Sequence, residues 1–204
     1  MNAINQKLNY VSARDNPFAV QRTDAIPFDF SETSFACIES FYHHIQQFDF
    51  RGAILGKHGR GKTTLLCDLH SFLCQQGIRS ELVFLPREKH LRRQSIDNTI
   101  QRGLSGSIIL IDGLERATFL ARQRILFRSK RYGGFIATTH RPSRLRTLLH
   151  CRTSQQTLIT TLESLELNRP EIVTAALPLL SKHRGNIRFV LRELYDQCAD
   201  GRFG

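Results

Sequence analysis

The chain has 204 residues, which suits one domain with a small appendage, and a hydrophobic content of 41% is enough for a packed core. No run approaches the ~20 apolar residues needed to cross a bilayer, and the opening MNAINQKLNY lacks the apolar centre of a signal peptide; no membrane association and a cytoplasmic location are expected. The formal net charge is +11, with a pI near 10, which leaves two readings, an acidic partner such as nucleic acid or a generally basic, soluble surface.

Residues 1–30 show little periodicity, and Asn16-Pro17-Phe18 and Ile26-Pro27-Phe28 read as extended or turn segments pinned by proline. This arm either lies across the body, where it reaches the base of a nucleotide, or is a loose tail. A helix capped by Ser31 or Thr33 follows, with apolar positions Phe35, Ile38, Phe41 and Ile45. The five cysteines are scattered, odd in number and without a CxxC pair, which fits reduced thiols.

The stretch from Arg51 to Leu66 organises the chain. An apolar strand (Ala53, Ile54, Leu55) leads into Gly56-Lys57-His58-Gly59-Arg60-Gly61-Lys62-Thr63-Thr64, followed by an amphipathic helix to about Gln76. This fits G-x-x-x-x-G-K-[ST], the P-loop. Glycines let successive backbone N–H groups converge on an anion, and the helix N-terminus adds unpaired donors and a favourable dipole. Lys62 is the candidate contact to β- and γ-phosphates, and Thr63 supplies a hydroxyl for Mg²⁺.

Glu81–Leu85 reads as a short buried strand stopped by Pro86, and residues 89–103 as a polar helix carrying Arg92, Arg93 and Arg102. Ser107-Ile108-Ile109-Leu110-Ile111-Asp112 reads as a strand buried on both faces that delivers a carboxylate at its C-terminal end. Ligands of open α/β sheets bind at that edge. From Gly113 to Arg131 a basic helix is expected, with Arg116, Arg122, Arg124, Arg128, Lys130 and Arg131 against one acid, Glu115. Phe135–His140 reads as a strand with a polar end, Arg141–Arg152 as a short helix, and Thr157–Leu162 as the last strand. From Glu163 onward the pattern is helical, with Pro170 at a first turn and a stripe of Ile187, Val190, Leu191, Leu194 and Cys198.

This order resembles the AAA+ ATPases of the additional-strand P-loop class, over about residues 25 to 198. The resemblance implies a three-layer α/β P-loop NTPase core with a parallel sheet over residues 31–162 and a small helical lid over 163–204, with ATP and Mg²⁺ as ligands. Asp112 matches the Walker B position that holds Mg²⁺ with Thr63. Thr139, ahead of Thr138, matches the polar sensor-one position. Arg188, within Arg184-Gly185-Asn186-Ile187-Arg188, matches sensor two. Arg131, Arg141 and Arg144 are candidate fingers offered to a neighbouring subunit of a homo-oligomer, each with a surface arginine as the alternative. The family usually places a catalytic glutamate directly after the Walker B aspartate, where this chain has Gly113. Glu115 is the nearest acid, either orienting water or complementing the helix dipole. The implied function is an ATP-hydrolysing switch with nucleic acid as a partner of helix 116–131. The alternatives are a non-hydrolysing nucleotide-dependent module that docks a protein partner, and a small-molecule kinase.

Overall fold

The computed structural model describes residues 15–88, Leu91, Gln94 and 106–203. Leu91 and Gln94 are helical; the rest of the polar helix expected over 89–103, including Arg92, Arg93 and Arg102, lies outside the described residues. The chain divides into two compact units, Phe30–Arg152 and a second formed by the segment up to Asp29 together with Thr153–Gly204. No helix among the described residues is long and apolar enough to cross a membrane.

The first unit is α/β. After helix α2 (Ile38–Gln46), five strands form one parallel sheet: β1 (Arg51–Leu55), β2 (Ser80–Phe84), β3 (Ile108–Asp112), β4 (Gly134–Thr139) and β5 (Thr147–His150), in the spatial order β2-β3-β4-β1-β5. Helix α3 (Lys62–Gln75) joins β1 to β2, and α4 (Phe119–Ser129) joins β3 to β4. Every residue of β3 and β4 is buried, which explains the apolar runs Ile108–Ile111 and Phe135–Ala137, and the polar ends Asp112, Thr138 and Thr139 are buried with them. Ile109, Ile111, Phe135 and Ala137 share one core cluster with Ile125 of α4. Residues of the other parity face the opposite side. Helix α3 packs against β2, β3 and β4 and buries Leu65, Leu66, Leu69 and Leu73.

Two expectations about this end of the chain are overturned. The segment expected as a helix over 141–152 contains β5. Its Leu148 and Leu149 are buried between exposed Thr147 and His150, and it pairs with β1 as an edge strand. The segment expected as the last strand, Thr157–Leu162, is helix α5 (Gln155–Ser164) of the second unit. Its threonines and isoleucine favour a strand locally. However, Ser154 caps it by accepting from the Thr157 amide at 3.2 Å, and Leu158, Leu162 and Leu165 recur at helical spacing into a core.

The second unit packs α5 with α6 (Pro170–Lys182) and α7 (Ile187–Ala199). The N-terminal segment, with a single helical turn α1 (Val20–Thr23), belongs to it. Phe18 is buried among Leu158, Ile172 and Leu194, and the Asn16 amide donates to the Tyr195 carbonyl at 2.9 Å. The described part of the arm is thus anchored to the C-terminal helices.

Candidate functional site

Gly56–Gly61 link β1 to α3. Gly59 and Gly61 hold φ of 68° and 77°, and Gly61 is the N-cap of α3. A side chain at Gly61 would be strained there. The turn brings Lys62, Thr63 and Thr64 in as the first turn of α3, where the amides have no partner within the helix. The Gly56 amide donates to the Thr139 carbonyl at 3.1 Å, tying the start of the loop to the end of β4.

Lys62 is only 7% exposed, and its Nζ donates to the Lys57 carbonyl at 2.8 Å. Burial holds its pKa below the ordinary lysine value, against the pull of the Glu115 and Asp112 carboxylates. Cys151, just after β5, has its thiol pushed up to about 12 by burial, which leaves it a neutral packing group.

Asp112 ends β3, and both its oxygens are occupied. Thr63 Oγ1 donates to Oδ2 at 3.1 Å, and Thr138 Oγ1 donates to Oδ1 at 2.7 Å. The same Thr138 hydroxyl accepts from the Gly113 amide at 2.8 Å, so one buried side chain fixes both the carboxylate and the turn after it. Gly113 sits at φ 81°, and the chain enters a 3₁₀ turn, Leu114–Arg116, instead of continuing directly as the long helix expected from 113. Helix α4 starts only at Phe119, capped by Thr118.

That turn carries Glu115. Its Oε1 lies 3.0 Å from His140 Nε2, while Oε2 is buried and has no hydrogen-bond partner among the described residues. The His140 ring packs edge-on against His58 of the loop, with centroids 3.7 Å apart at 74°. Burial, followed by Lys62, His58 and Arg116, draws His140 from 6.5 down to about 4, with Asp112 opposing. His58 is lowered as well, by burial first and then by Lys62. With a neutral ring, the carboxylate assigns the imidazole proton to Nε2, which donates to Glu115.

Lys62, Thr63, Asp112 and Glu115 therefore gather at one sheet edge around the loop. Between the two threonines ending β4, it is Thr138 that touches Asp112; the Thr139 hydroxyl is buried and has no hydrogen-bond partner among the described residues. Arg188 is exposed in the first turn of α7, in the second unit. Arg131, Arg141 and Arg144 are exposed. Sequence reasoning missed His140 and treated His58 only as a loop position. The available signal was the run of three polar residues closing β4 beside an acid displaced from its usual place.

No family model matches the chain, and no curated protein matches it.

Proposed function

We propose that the first unit is a P-loop NTPase core of the additional-strand class and that the chain is an ATP-binding, ATP-hydrolysing switch of AAA+-like type. One observation carries this reading: the Thr63 hydroxyl meets the Asp112 carboxylate at 3.1 Å beside buried Lys62, at the C-terminal edge of a parallel sheet. The strand order supports it, because β4 lies between β1 and β3, where the resemblance implies an added strand.

The residues fit a Mg²⁺–nucleotide. Thr63 and Asp112 offer hard oxygen ligands for the cation, and the loop amides and Lys62 suit phosphates. Lys62 Nζ is bonded to a neutral carbonyl, which it can exchange for a phosphate oxygen. When bound, Mg²⁺ supplies neutralisation of charge on the phosphates. Thr138 holds Asp112 in place. Of the two Glu115 oxygens, His140 occupies Oε1, and Oε2 is the one left to accept a proton from water once movement of the turn on nucleotide binding uncovers it. The exposed cations of α4 suit a polyanionic partner such as nucleic acid.

Gly113, in place of the usual glutamate, supports a second reading, a nucleotide-dependent interaction module without turnover. Binding of a fluorescent ATP analogue with Mg²⁺ tests the shared premise. Lys62→Ala is expected to lose affinity and all turnover while keeping a normal thermal melt. Unchanged affinity in a folded variant would remove the loop from nucleotide binding, and binding without phosphate release in the wild type would favour the second reading.

A further inference from the structure

Helix α4 turns Ile125 and Ser129 into the core. Its outer side is unusual for a surface helix: Phe119, Leu120 and Phe127 are 67%, 73% and 68% exposed. Leu120 and Phe127 lie seven residues apart and so share one face, about 10 Å apart along the axis. Arg124 falls between them, and Arg128, Lys130 and Arg131 follow. All four cations are exposed, and none pairs with a carboxylate among the described residues. From Arg116 to Leu162 the sequence contains no Asp or Glu at all.

We propose that the outer face of α4 binds single-stranded nucleic acid, with unpaired bases stacked on Phe127 and Phe119 and phosphates on Arg124, Arg128, Lys130 and Arg131. A single strand presents flat π-faces and anionic phosphates in equal number, so it covers exposed rings and unpaired cations together. A duplex satisfies only the cations, because its base faces are already stacked on one another. A protein partner would have to bring apolar surface and several carboxylates into the same patch. The 2′-hydroxyl plays no part in either contact, so DNA and RNA share the required chemistry.

The inference rests on the polyanion part of the proposed function and is independent of nucleotide binding. The test is fluorescence anisotropy with labelled oligothymidylate, oligouridylate and a blunt duplex of equal length, over a salt series. Both single strands are expected to bind more tightly than the duplex. Phe127→Ala should weaken single-strand binding about tenfold, the scale of one lost stack, with an unchanged salt slope and little effect on the duplex. Phe127→Trp should restore it. Arg124→Gln with Arg128→Gln should instead flatten the salt slope by about two contacts. All three variants lie on the surface, and thermal melts verify that each is folded. Equal binding of duplex and single strand, with Phe127→Ala silent, would overturn the stacking while sparing the polyanion reading. Absence of binding to any of the three at low salt would overturn both. Loss of self-association in Phe127→Ala, seen by sedimentation and without nucleic-acid binding, would make the face a protein interface.

Discussion

The tip of β3 and the outer face of α4 invert the usual relation between burial and polarity in opposite directions. At the tip, Lys62, Asp112, Thr138 and Thr139 are all buried polar groups. The α4 face follows close behind in sequence, from Phe119 to Phe127, and there Phe119, Leu120 and Phe127 stand in water. Burying polar groups is costly unless they find partners, and Asp112 has one on each oxygen. Exposing rings forgoes burial worth roughly 1.5–3 kcal/mol apiece. One region therefore satisfies most of its polar groups internally, whereas the other leaves its apolar groups without internal contacts. Within the tip, Glu115 Oε2 and Thr139 Oγ1 are the exceptions, buried atoms with no hydrogen-bond partner among the described residues.

The largest expected effect tests that exception. Glu115→Gln keeps the shape and the neighbour at His140 but exchanges the carboxylate for an amide. In single-turnover assays with saturating ATP and Mg²⁺, phosphate release should fall about 10²-fold or more, the scale of a lost general base, while nucleotide affinity stays close to wild type. Wild-type turnover in this variant would make the bare oxygen a structural accident and blur the contrast between Glu115 and the fully bonded Asp112.

The two regions were unequally legible in the sequence. The loop, Lys62, Thr63 and the buried β3 strand ending in Asp112 could be read directly, because glycine spacing and a run of apolar residues have local causes. The partner of Asp112 could not: Thr138 and Thr139 are chemically identical neighbours, and only the strand's orientation selects one. His140 was hidden for the same reason, since its partners Glu115 and His58 are distant in sequence and meet only through the sheet. At the C-terminal side, strand propensity in Thr157–Leu162 lost to a capped helix whose leucines are buried in a core that no local window contains. The exposure of Phe119 and Phe127 was likewise invisible, because the residues of α4 that face the core follow from packing against β3 and β4.

A smaller effect is expected at His140, which touches Glu115 without facing the bare oxygen. His140→Ala removes a hydrogen bond to a charged group, and turnover should drop about tenfold or more, with His140→Gln recovering part of it and nucleotide affinity unaffected by either. The ring also links the tip to pH. Its folded pKa of about 4 lies below the 6.5 of a free imidazole. As pH falls through this window the unfolded chain binds the proton first, so stability is full above about 6.5 and is lost progressively toward 4. His58 and His150, both also lowered, act in the same direction. Thermal melts between these pH values should therefore decline less steeply in His140→Gln than in the wild type. An identical decline would mean that His140 titrates as an ordinary surface histidine and is no part of the buried cluster.

The smallest expected effect concerns what holds the exposed face in shape. Helix α4 begins only after the 3₁₀ turn that carries Glu115, and the Thr118 hydroxyl accepts from the Ala121 amide at 3.3 Å to cap it. The cap separates the two regions: on one side lies the turn that presents Glu115, on the other the helix that presents Phe119 and Phe127. Thr118→Ala should cost about 1 kcal/mol, which for a chain of this size lowers Tm by roughly 2–4 °C. If the tip is pre-organised by its own bonds, through Asp112, Thr138 and Gly113, nucleotide affinity in this variant should match the wild type. On the α4 side, Arg122 bonds back across the cap to the Glu115 and Ala117 carbonyls at 3.5 and 3.4 Å, and fraying of the first turn should act on Phe119 before Phe127, weakening oligonucleotide binding by less than Phe127→Ala does. Equal losses of nucleotide and oligonucleotide binding in Thr118→Ala would show that the turn and the helix behave as one element, and the independence of the two regions would then be lost.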